Sequence, residues 1–519
     1  MTQLKTWIKK PISDKSAKNI KIIYFLIFGL LCSTLTSFRK MDVDSYYMIA
    51  QAREIIDLKG FPVYNNFTYY ENFATCIQQW VYCMCLWIMD KLPGNIWFIL
   101  FAAIQQMMLL YLFNKKLKQV YDDEVITYAL ASIICILIPG YFISLRPENI
   151  TLIFILWECL CLDNYKKTNK TRYLYVLPLI TLLEMNIHGS MWIFHFCVLA
   201  AYITPSLLKP YVEDNHIKIN KHVIIVFILM IMSLFINPYG LQNIMYPFSS
   251  LNTFNYIKIS EQQTTAILTL PGILCLIAIL LLFYGIEKQL IKSETFYMAA
   301  GLLFLSVTSY HSVMFIIIVY VFIFHDLLKQ LATYLPKKCQ DTMNNEVLII
   351  IPPCILVVSL FALIIIPPCL KSFTETKAQQ AVVEYIKEND PDNEYAILND
   401  MALGSYLEYH GVKNIFFDSR PEMLNKSING EYDAIYDFYY LAKNIRIPGC
   451  YEYKNAKDYL DTYRIKYIAV STNCTSYPII LSYVENSDEF ELVLKTDFNE
   501  RTNYMIYERT EESCRQLQY

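Results

Sequence analysis

Ile77-Gln78-Gln79-Trp80-Val81-Tyr82-Cys83-Met84-Cys85-Leu86-Trp87-Ile88-Met89 is the stretch on which the topology turns. It is apolar, yet thirteen residues of helix rise only about 20 Å, against roughly 30 Å of bilayer hydrocarbon. If it does not cross a membrane, the basic loops Lys115–Lys118, Lys166–Arg172, Lys209–Lys221, Lys288–Lys292 and Lys329–Lys338 all fall on the cytoplasmic side. If it does, every one of them falls outside, against the excess of Lys and Arg expected in cytoplasmic loops. Residues 77–89 are therefore read as a helix on the outer surface.

Around it lie about eleven apolar runs of near-spanning length, at 20–37, 95–113, 125–143, 149–162, 173–187, 190–207, 222–236, 266–284, 295–309, 312–328 and 346–367. Composition agrees: 55% of the 519 residues are hydrophobic and 18% charged, where soluble domains carry about 25% charged. The first run follows Lys5, Lys9, Lys10, Lys15, Lys18 and Lys21 with no small-residue cleavage site behind it. That pattern predicts a retained first helix and a cytoplasmic N-terminus at 1–19. A net charge of −3 excludes the basic balance of a nucleic-acid binder. Most of the 15 cysteines sit in apolar runs, where they behave as small hydrophobes.

The expected fold is a polytopic α-helical membrane protein with a C-terminal soluble α/β domain. Residues 20–368 form the membrane domain, with a long first outer loop at 38–94. Residues 369–519 are charged and alternate β-like runs (YAILND, NIFFDS, KYIAVS, ELVLKT, YMIYER) with helix-like ones (AQQAVVEYIKEN, AIYDFYYLAKNI, KDYLDTYRI). The parity argument puts this tail outside the cell.

The outer loops hold nearly all the unusual polar residues. Asp42 and Asp44 follow the first run; acids at a membrane edge are expensive and tend to be functional. Extended backbone would set both carboxylates on one side, to divide acid–base work or share a metal; the plain alternative is that one caps the next helix. Residues 45–58 have helical periodicity with Arg53 on a polar position, which predicts an amphipathic helix on the membrane surface. Arg146-Pro147-Glu148 joins two runs, and its guanidinium suits a phosphate as readily as a salt bridge. Asn186-Ile187-His188-Gly189 puts an imidazole at the lipid–water level, and Asn237-Pro238-Tyr239-Gly240 stops a later run. Lys258 and Glu261 are candidates for phosphate and hydroxyl contacts, and Tyr310-His311 closes the last short loop. No Walker A loop, GxGxxG, GxSxG or HExxH occurs.

In order and spacing these motifs resemble the GT-C superfamily of polytopic membrane glycosyltransferases. The likeness rests on Asp42-x-Asp44 after the first run, the surface helix from Gln78-Gln79-Trp80, Arg146-Pro147, Asn186-x-His188-Gly189 and Asn237-Pro238-x-Gly240. It continues in the tail at Asn399-Asp400…Gly404-Ser405-Tyr406-Leu407 and Phe417-Asp418-Ser419-Arg420, a pattern of bacterial members with an extracytoplasmic α/β domain. The resemblance implies sugar transfer from a polyprenyl-phosphate donor to a cell-envelope glycan, lipid or protein on the outer face of the membrane. Asp44, with Asp42, would be the catalytic acidic site, and a divalent metal on the pair stays open; no other cofactor is implied. Arg146, His188 and Lys258 would meet the donor phosphate, while Arg53, Gln79, Trp80, Glu261 and His311 would contact acceptor or substrate. Asp400, Tyr406, Asp418 and Arg420 would either touch a glycan or belong to a structural lid. The partners expected are membrane lipid, the lipid-linked donor and the acceptor. The competing readings are a transporter or flippase, which needs paired charges inside the bundle where only Glu158 and Glu184 stand out, and a non-catalytic assembly factor.

Overall fold

The computed structural model describes residues 43–94, 96–119, 127, 131, 145–208, 217–253, 265–266, 268–308, 310–334, 377–430, 432–446, 454–472, 477–498 and 502–516. The chain divides into two units, the first formed by residues 1–37, 95–240 and 258–367, the second by 38–94, 241–257 and 368–519. The loop at 38–94 thus groups with the tail rather than with the helices that flank it in sequence.

The helices are numbered in chain order: α1 (Val43–Leu58), α2 (Trp80–Lys91), α3 (Ile96–Leu117), α4 (Glu148–Thr168), α5 (Leu177–Ile187), α6 (Trp192–Ile203), α7 (Lys221–Leu234), α8 (Leu241–Thr253), α9 (Leu270–Glu287), α10 (Ser293–Thr308), α11 (Ile316–Tyr334), α12 (Lys377–Asn389), α13 (Met401–Tyr409), α14 (Ala434–Lys443), α15 (Ala456–Thr462), α16 (Pro478–Val484) and α17 (Glu511–Gln516).

The first unit is a helical bundle. α3 packs on α4, α4 on α6, α5 on α7, and α11 on α9 and α10. Their buried faces form one apolar core running through Leu109, Leu152, Leu160, Leu174, Val198, Tyr202, Met298 and Phe322. Among the described residues one helix, α3, is long and apolar enough to cross a membrane; Lys221–Leu234, Pro271–Glu287 and Ser312–Leu327 are apolar but shorter. The other runs are broken for local reasons. The expected run 173–187 splits into a 3₁₀ turn, Thr171–Val176, and α5, whose first turn carries Pro178. That at 190–207 yields α6 and then stops at Thr204-Pro205. The run at 149–162 extends into α4 but carries buried Glu158 and Asp163. The runs at 20–37 and 346–367, and all of 125–143 except Thr127 and Ala131, lie outside the described residues.

The second unit is α/β. Strands β1 (Ala396–Asn399), β2 (Ile465–Ser471), β3 (Phe490–Lys495) and β4 (Tyr504–Arg509) form one sheet in the order β1-β2-β4-β3. β1 and β2 are parallel, the remaining pairs antiparallel. Of the five β-like runs, four form strands. The fifth, NIFFDS, forms isolated bridges through Ile415 to Thr68 and Ile397, so this segment lies between β1 and the loop that follows α1. α12 and α13 cover the sheet through Val382, Ile386, Leu403, Tyr406 and Leu407, which share a core with Ile397, Tyr467 and Ile506.

Helix α1 departs from the surface-lying expectation. Ten of its sixteen residues, from Ser45 to Ala52 with Glu54 and Ile55, are buried, because α2 and α13 pack on it from two sides. α2 is twelve residues long, short of a bilayer, and its Tyr82, Cys83 and Leu86 are buried.

Candidate functional site

Asp44 is half-buried in the first turn of α1, where unpaired backbone N–H groups favour a carboxylate. Its backbone is helical, not extended, so the expected alternation that would aim Asp42 and Asp44 to one side does not apply from residue 43 onward. Asp42 itself lies outside the described residues. One turn along, Tyr47 is buried, and its phenol oxygen accepts a hydrogen bond from Gln79 Nε2 at 2.9 Å. Burial, then the nearby charge of Asp44, pushes this phenol well above its ordinary pKa. Tyr47 is thus hydrogen-bonded to Gln79 and lies within the field of Asp44. Trp80 is half-buried at the start of α2, edge-to-face with Phe61 at 5.3 Å. Arg53 is committed elsewhere: its Nη2 donates to the carbonyl of Tyr409, at the C-terminal end of α13, at 2.9 Å.

Deeper in the same unit sits a group of charges that the sequence did not single out as one site. Arg420 is 1% exposed; its Nε and Nη2 bind the two carboxylate oxygens of Asp418 at 2.9 and 2.5 Å. Glu408 Oε1 stands 2.9 Å from the same Nη2. Glu422 accepts from Thr75 Oγ1 at 2.9 Å and from the Cys76 amide at 3.1 Å, and Glu54 accepts from Asn66 Nδ2 at 2.9 Å. Burial raises the carboxyl groups of Glu54, Glu408 and Glu422 above the usual range, against the pull of Arg420 on each. Burial works against the guanidinium too, but Asp418 and Glu408 outweigh it and hold its pKa above the ordinary value. Arg420 and Asp418 are thus interior groups paired with each other, and Tyr406 is fully buried as well, so none of the three is exposed to meet a glycan. Asp400 accepts from the Ser471 amide at 2.7 Å, and burial pushes its carboxyl up to about 6.

The tail motifs read as a latch. Asn399 donates to the carbonyls of Phe417 and Asp400 at 2.7 and 2.9 Å and accepts from the Phe416 amide at 2.9 Å. Ser405 and Ser419 share a hydroxyl contact at 2.9 Å. The signal was visible in the chain order of these residues; what it meant required knowing that 399–408 packs on 415–420.

In the first unit, Arg146 is half-buried just before α4, and His188 closes α5. His188 ends a chain of buried polar groups across three helices. Its Nδ1 lies 2.8 Å from Thr151 Oγ1, and the Thr151 hydroxyl donates to Glu184 Oε1 at 2.6 Å. Glu184 Oε2 is 3.4 Å from His195 Nε2, and His195 Nδ1 is 2.6 Å from Glu158 Oε2. A second buried group joins Lys116 Nζ to Asp163 at 2.6 Å, with the Tyr202 hydroxyl donating to the same carboxylate at 2.9 Å. Lys116, expected in a cytoplasmic loop, is thus a buried residue in the last turn of α3. Paired charges inside the bundle are accordingly more numerous than Glu158 and Glu184 alone.

His311 lies in the 3₁₀ turn Tyr310–Phe315; Lys258 and Glu261 fall outside the described residues. Among the described residues no group of three or more His, Cys, Asp or Glu side chains is placed to hold a metal ion.

No family model matches the chain, and no curated protein matches it. Among solved structures it is similar to the oligosaccharyltransferase of Archaeoglobus fulgidus, crystallised in complex with zinc and sulfate, with a TM-score of 0.50 at 10% sequence identity. The match covers 92% of this chain and 72% of the archaeal one. At that identity the likeness is one of fold.

Proposed function

We propose that the chain is a membrane glycosyltransferase that moves a sugar from a polyprenyl-phosphate donor to a cell-envelope glycan, lipid or protein acceptor on the outer face of the membrane. The observation that carries this reading is the fold likeness to an archaeal oligosaccharyltransferase over 92% of the chain. The motif order read from the sequence supports it, and the apolar α3 is in keeping with a membrane protein.

In this scheme the acceptor hydroxyl attacks the anomeric carbon. The bond from that carbon to the donor phosphate breaks, and its electron pair leaves on the phosphate oxygen. Asp44 takes the acceptor's proton, a contribution of about 10²–10⁴-fold. Asp42, two residues before it, would share that acidic site. Arg146, His188 and Lys258 would stabilise the charge developing on the leaving phosphate. Gln79, Trp80, Glu261 and His311 would contact acceptor or substrate.

The test is sugar release from radiolabelled polyprenyl-phosphate monosaccharides, with a cell-envelope extract as acceptor, in parallel arms with and without EDTA. Turnover by the wild type, reduced about 10²–10⁴-fold in Asp44→Asn, is expected; full activity of the variant would overturn the role of Asp44. A transporter reading has one observation behind it, the buried charge pairs of the first unit. Absence of turnover, with uptake of a lipid-linked solute into vesicles, would favour it.

A further inference from the structure

Four carboxyl groups act on the buried Arg420 of the second unit: Glu54 on α1, Glu408 on α13, and Asp418 and Glu422 beside it in the chain. Ionised together they would set four negative charges against one positive, in an interior where Glu408 and Asp418 are 0% exposed. A dry site resolves such an excess by taking up protons. The contacts show where one belongs. Asp418 receives three donors from Arg420: the backbone amide at 2.7 Å and Nε at 2.9 Å on Oδ1, and Nη2 at 2.5 Å on Oδ2. Asp418 is thus the carboxylate. Glu408 is the opposite case. Arg420 Nη2 comes within 2.9 Å of its Oε1 but out of line for a hydrogen bond, and among the described residues no donor is aligned on either Glu408 oxygen. Its carboxyl is nevertheless in hydrogen-bonding contact with that of Asp418, and two carboxyl groups meet in this way only with a hydrogen between them. The geometry points to Glu408 as an un-ionised carboxylic acid that donates its hydrogen to Asp418, a proton-held clasp fastening α13 to the segment 416–420.

The clasp concerns how the second unit holds together and is independent of the proposed reaction. Loss of the hydrogen would leave two carboxylates in buried contact, where they repel, so the clasp opens as pH rises. Burial raises the Glu408 carboxyl well above its ordinary 4.5 against the pull of Arg420, and Asp418 adds to the rise. Below that ordinary value folded and unfolded chains both hold the proton, and the contribution to stability is complete. Above it only the folded chain holds the proton, and stability falls with rising pH. The charged groups facing Glu408 are Arg420 and Asp418 from the 416–420 segment and Glu54 from α1. Lys413 faces Glu54 in turn, and Glu422 faces Arg420. α12, which also packs on α13, joins the shared core through apolar Val382 and Ile386.

The test compares full-length wild type in detergent with Glu408→Gln, which is always neutral and keeps an N–H donor, and Glu408→Met, which is neutral and has none. Thermal midpoints are followed from about pH 5 to 9. Glu408→Gln is expected to match wild type at the acid end and to lose less of its midpoint as pH rises, with Glu408→Met several degrees below Glu408→Gln throughout. Amide protection of residues 401–409, corrected for the intrinsic exchange rate, should fall with pH in wild type and hold in Glu408→Gln. Infrared spectra read the proton directly: the carbonyl band of un-ionised carboxyl groups at neutral pH should be weaker in Glu408→Gln than in wild type. An equal band in the two proteins, or a stability loss in Glu408→Gln that is greatest at the alkaline end, would make Glu408 a carboxylate paired with Arg420 and overturn the assignment. A Glu408→Gln chain that folds at no pH would do the same, because the charge would then be what the site needs. Equal midpoints for Glu408→Gln and Glu408→Met would remove the donated hydrogen, and the clasp with it.

Discussion

A Cβ built on Gly404 would stand 2.1 Å from the carbonyl oxygen of Phe417 and 2.6 Å from Asn399 Nδ2. Backbone cannot give way as a flexible side chain can, so Gly404→Ala must push α13 off the 416–417 segment. Overpacking of this kind costs about 3 kcal/mol, and the thermal midpoint of the purified protein is expected to drop by several degrees. An unchanged midpoint would contradict the close approach. Asp400 makes a prediction of opposite character. Its carboxyl is pushed from the ordinary 3.8 up to about 6 in the folded chain. Below about pH 4 folded and unfolded chains both hold the proton, and the contribution to stability is complete. Between about pH 4 and 6 only the folded chain still holds it, so stability falls as pH rises through that window. Asp400→Asn, which keeps an acceptor for the Ser471 amide, should flatten that part of a stability–pH curve. The raised carboxyl groups of Glu54, Glu408 and Glu422 act in the same direction, so a slope remains in the variant.

Among elements, what was legible followed from periodicity and what was not followed from packing. The strands KYIAVS, ELVLKT and YMIYER carry alternating or wholly apolar runs and stand in the sheet where that pattern puts them. NIFFDS has the same composition, yet it lies beside β1 through single bridges because Asn399 occupies the Phe416 amide and the Phe417 carbonyl. Gly404 and Ser405 break the apolar pattern of α13, so periodicity does not mark it as a helix. The polar face read on α1 was real, but Gln51 and Glu54 are buried there against other elements rather than wetted. Arg53 illustrates the consequence for the site. The family resemblance implies a substrate contact for it, while its guanidinium holds the carbonyl of Tyr409 and so ties α1 to α13. Arg53→Ala is expected to cost about 1 kcal/mol of stability, the worth of one such bond, and to leave the sugar release proposed above unchanged. A loss of transfer at constant melting temperature would restore the substrate-contact reading. Motif order offers Asp44, Gln79, Arg146 and His188 as candidates, and Asp418 and Arg420 with them; the grouping around Arg420 is not readable from it, since Glu54, Glu408, Asp418 and Glu422 come from three separate stretches of chain that only folding brings together.

For the molecule as a whole, burying ions in an apolar bundle is the most demanding feature. Lys116 is 1% exposed, and Asp163, which holds it, is 6%. Removing one partner of such a pair leaves the other charged, at a cost of about 3–5 kcal/mol. Asp163→Asn should therefore sharply reduce the yield of folded protein, and Lys116→Met with Asp163→Leu should recover it. If the single variant is as stable as wild type, the pair is not a buried ion pair.

The sidedness of the chain is a separate question, set by its lysines and arginines. The excess of basic residues in one set of loops predicts that Lys166–Arg172 faces the cytoplasm and the tail faces outward. Lys167 and Asp488 are both exposed side chains, so cysteines placed there report on access without disturbing a core. In intact cells a membrane-impermeant maleimide should add label to Asp488→Cys above the wild-type background and none to Lys167→Cys. Both should react once the membrane is opened with detergent. The opposite pattern would mean that residues 77–89 cross the membrane after all, and every outer-face assignment beyond residue 89 would invert, while Asp42 and Asp44 would stay outside. Label on both in intact cells would break the parity argument itself, because the seven apolar runs between the two positions are an odd number of crossings and require opposite sides.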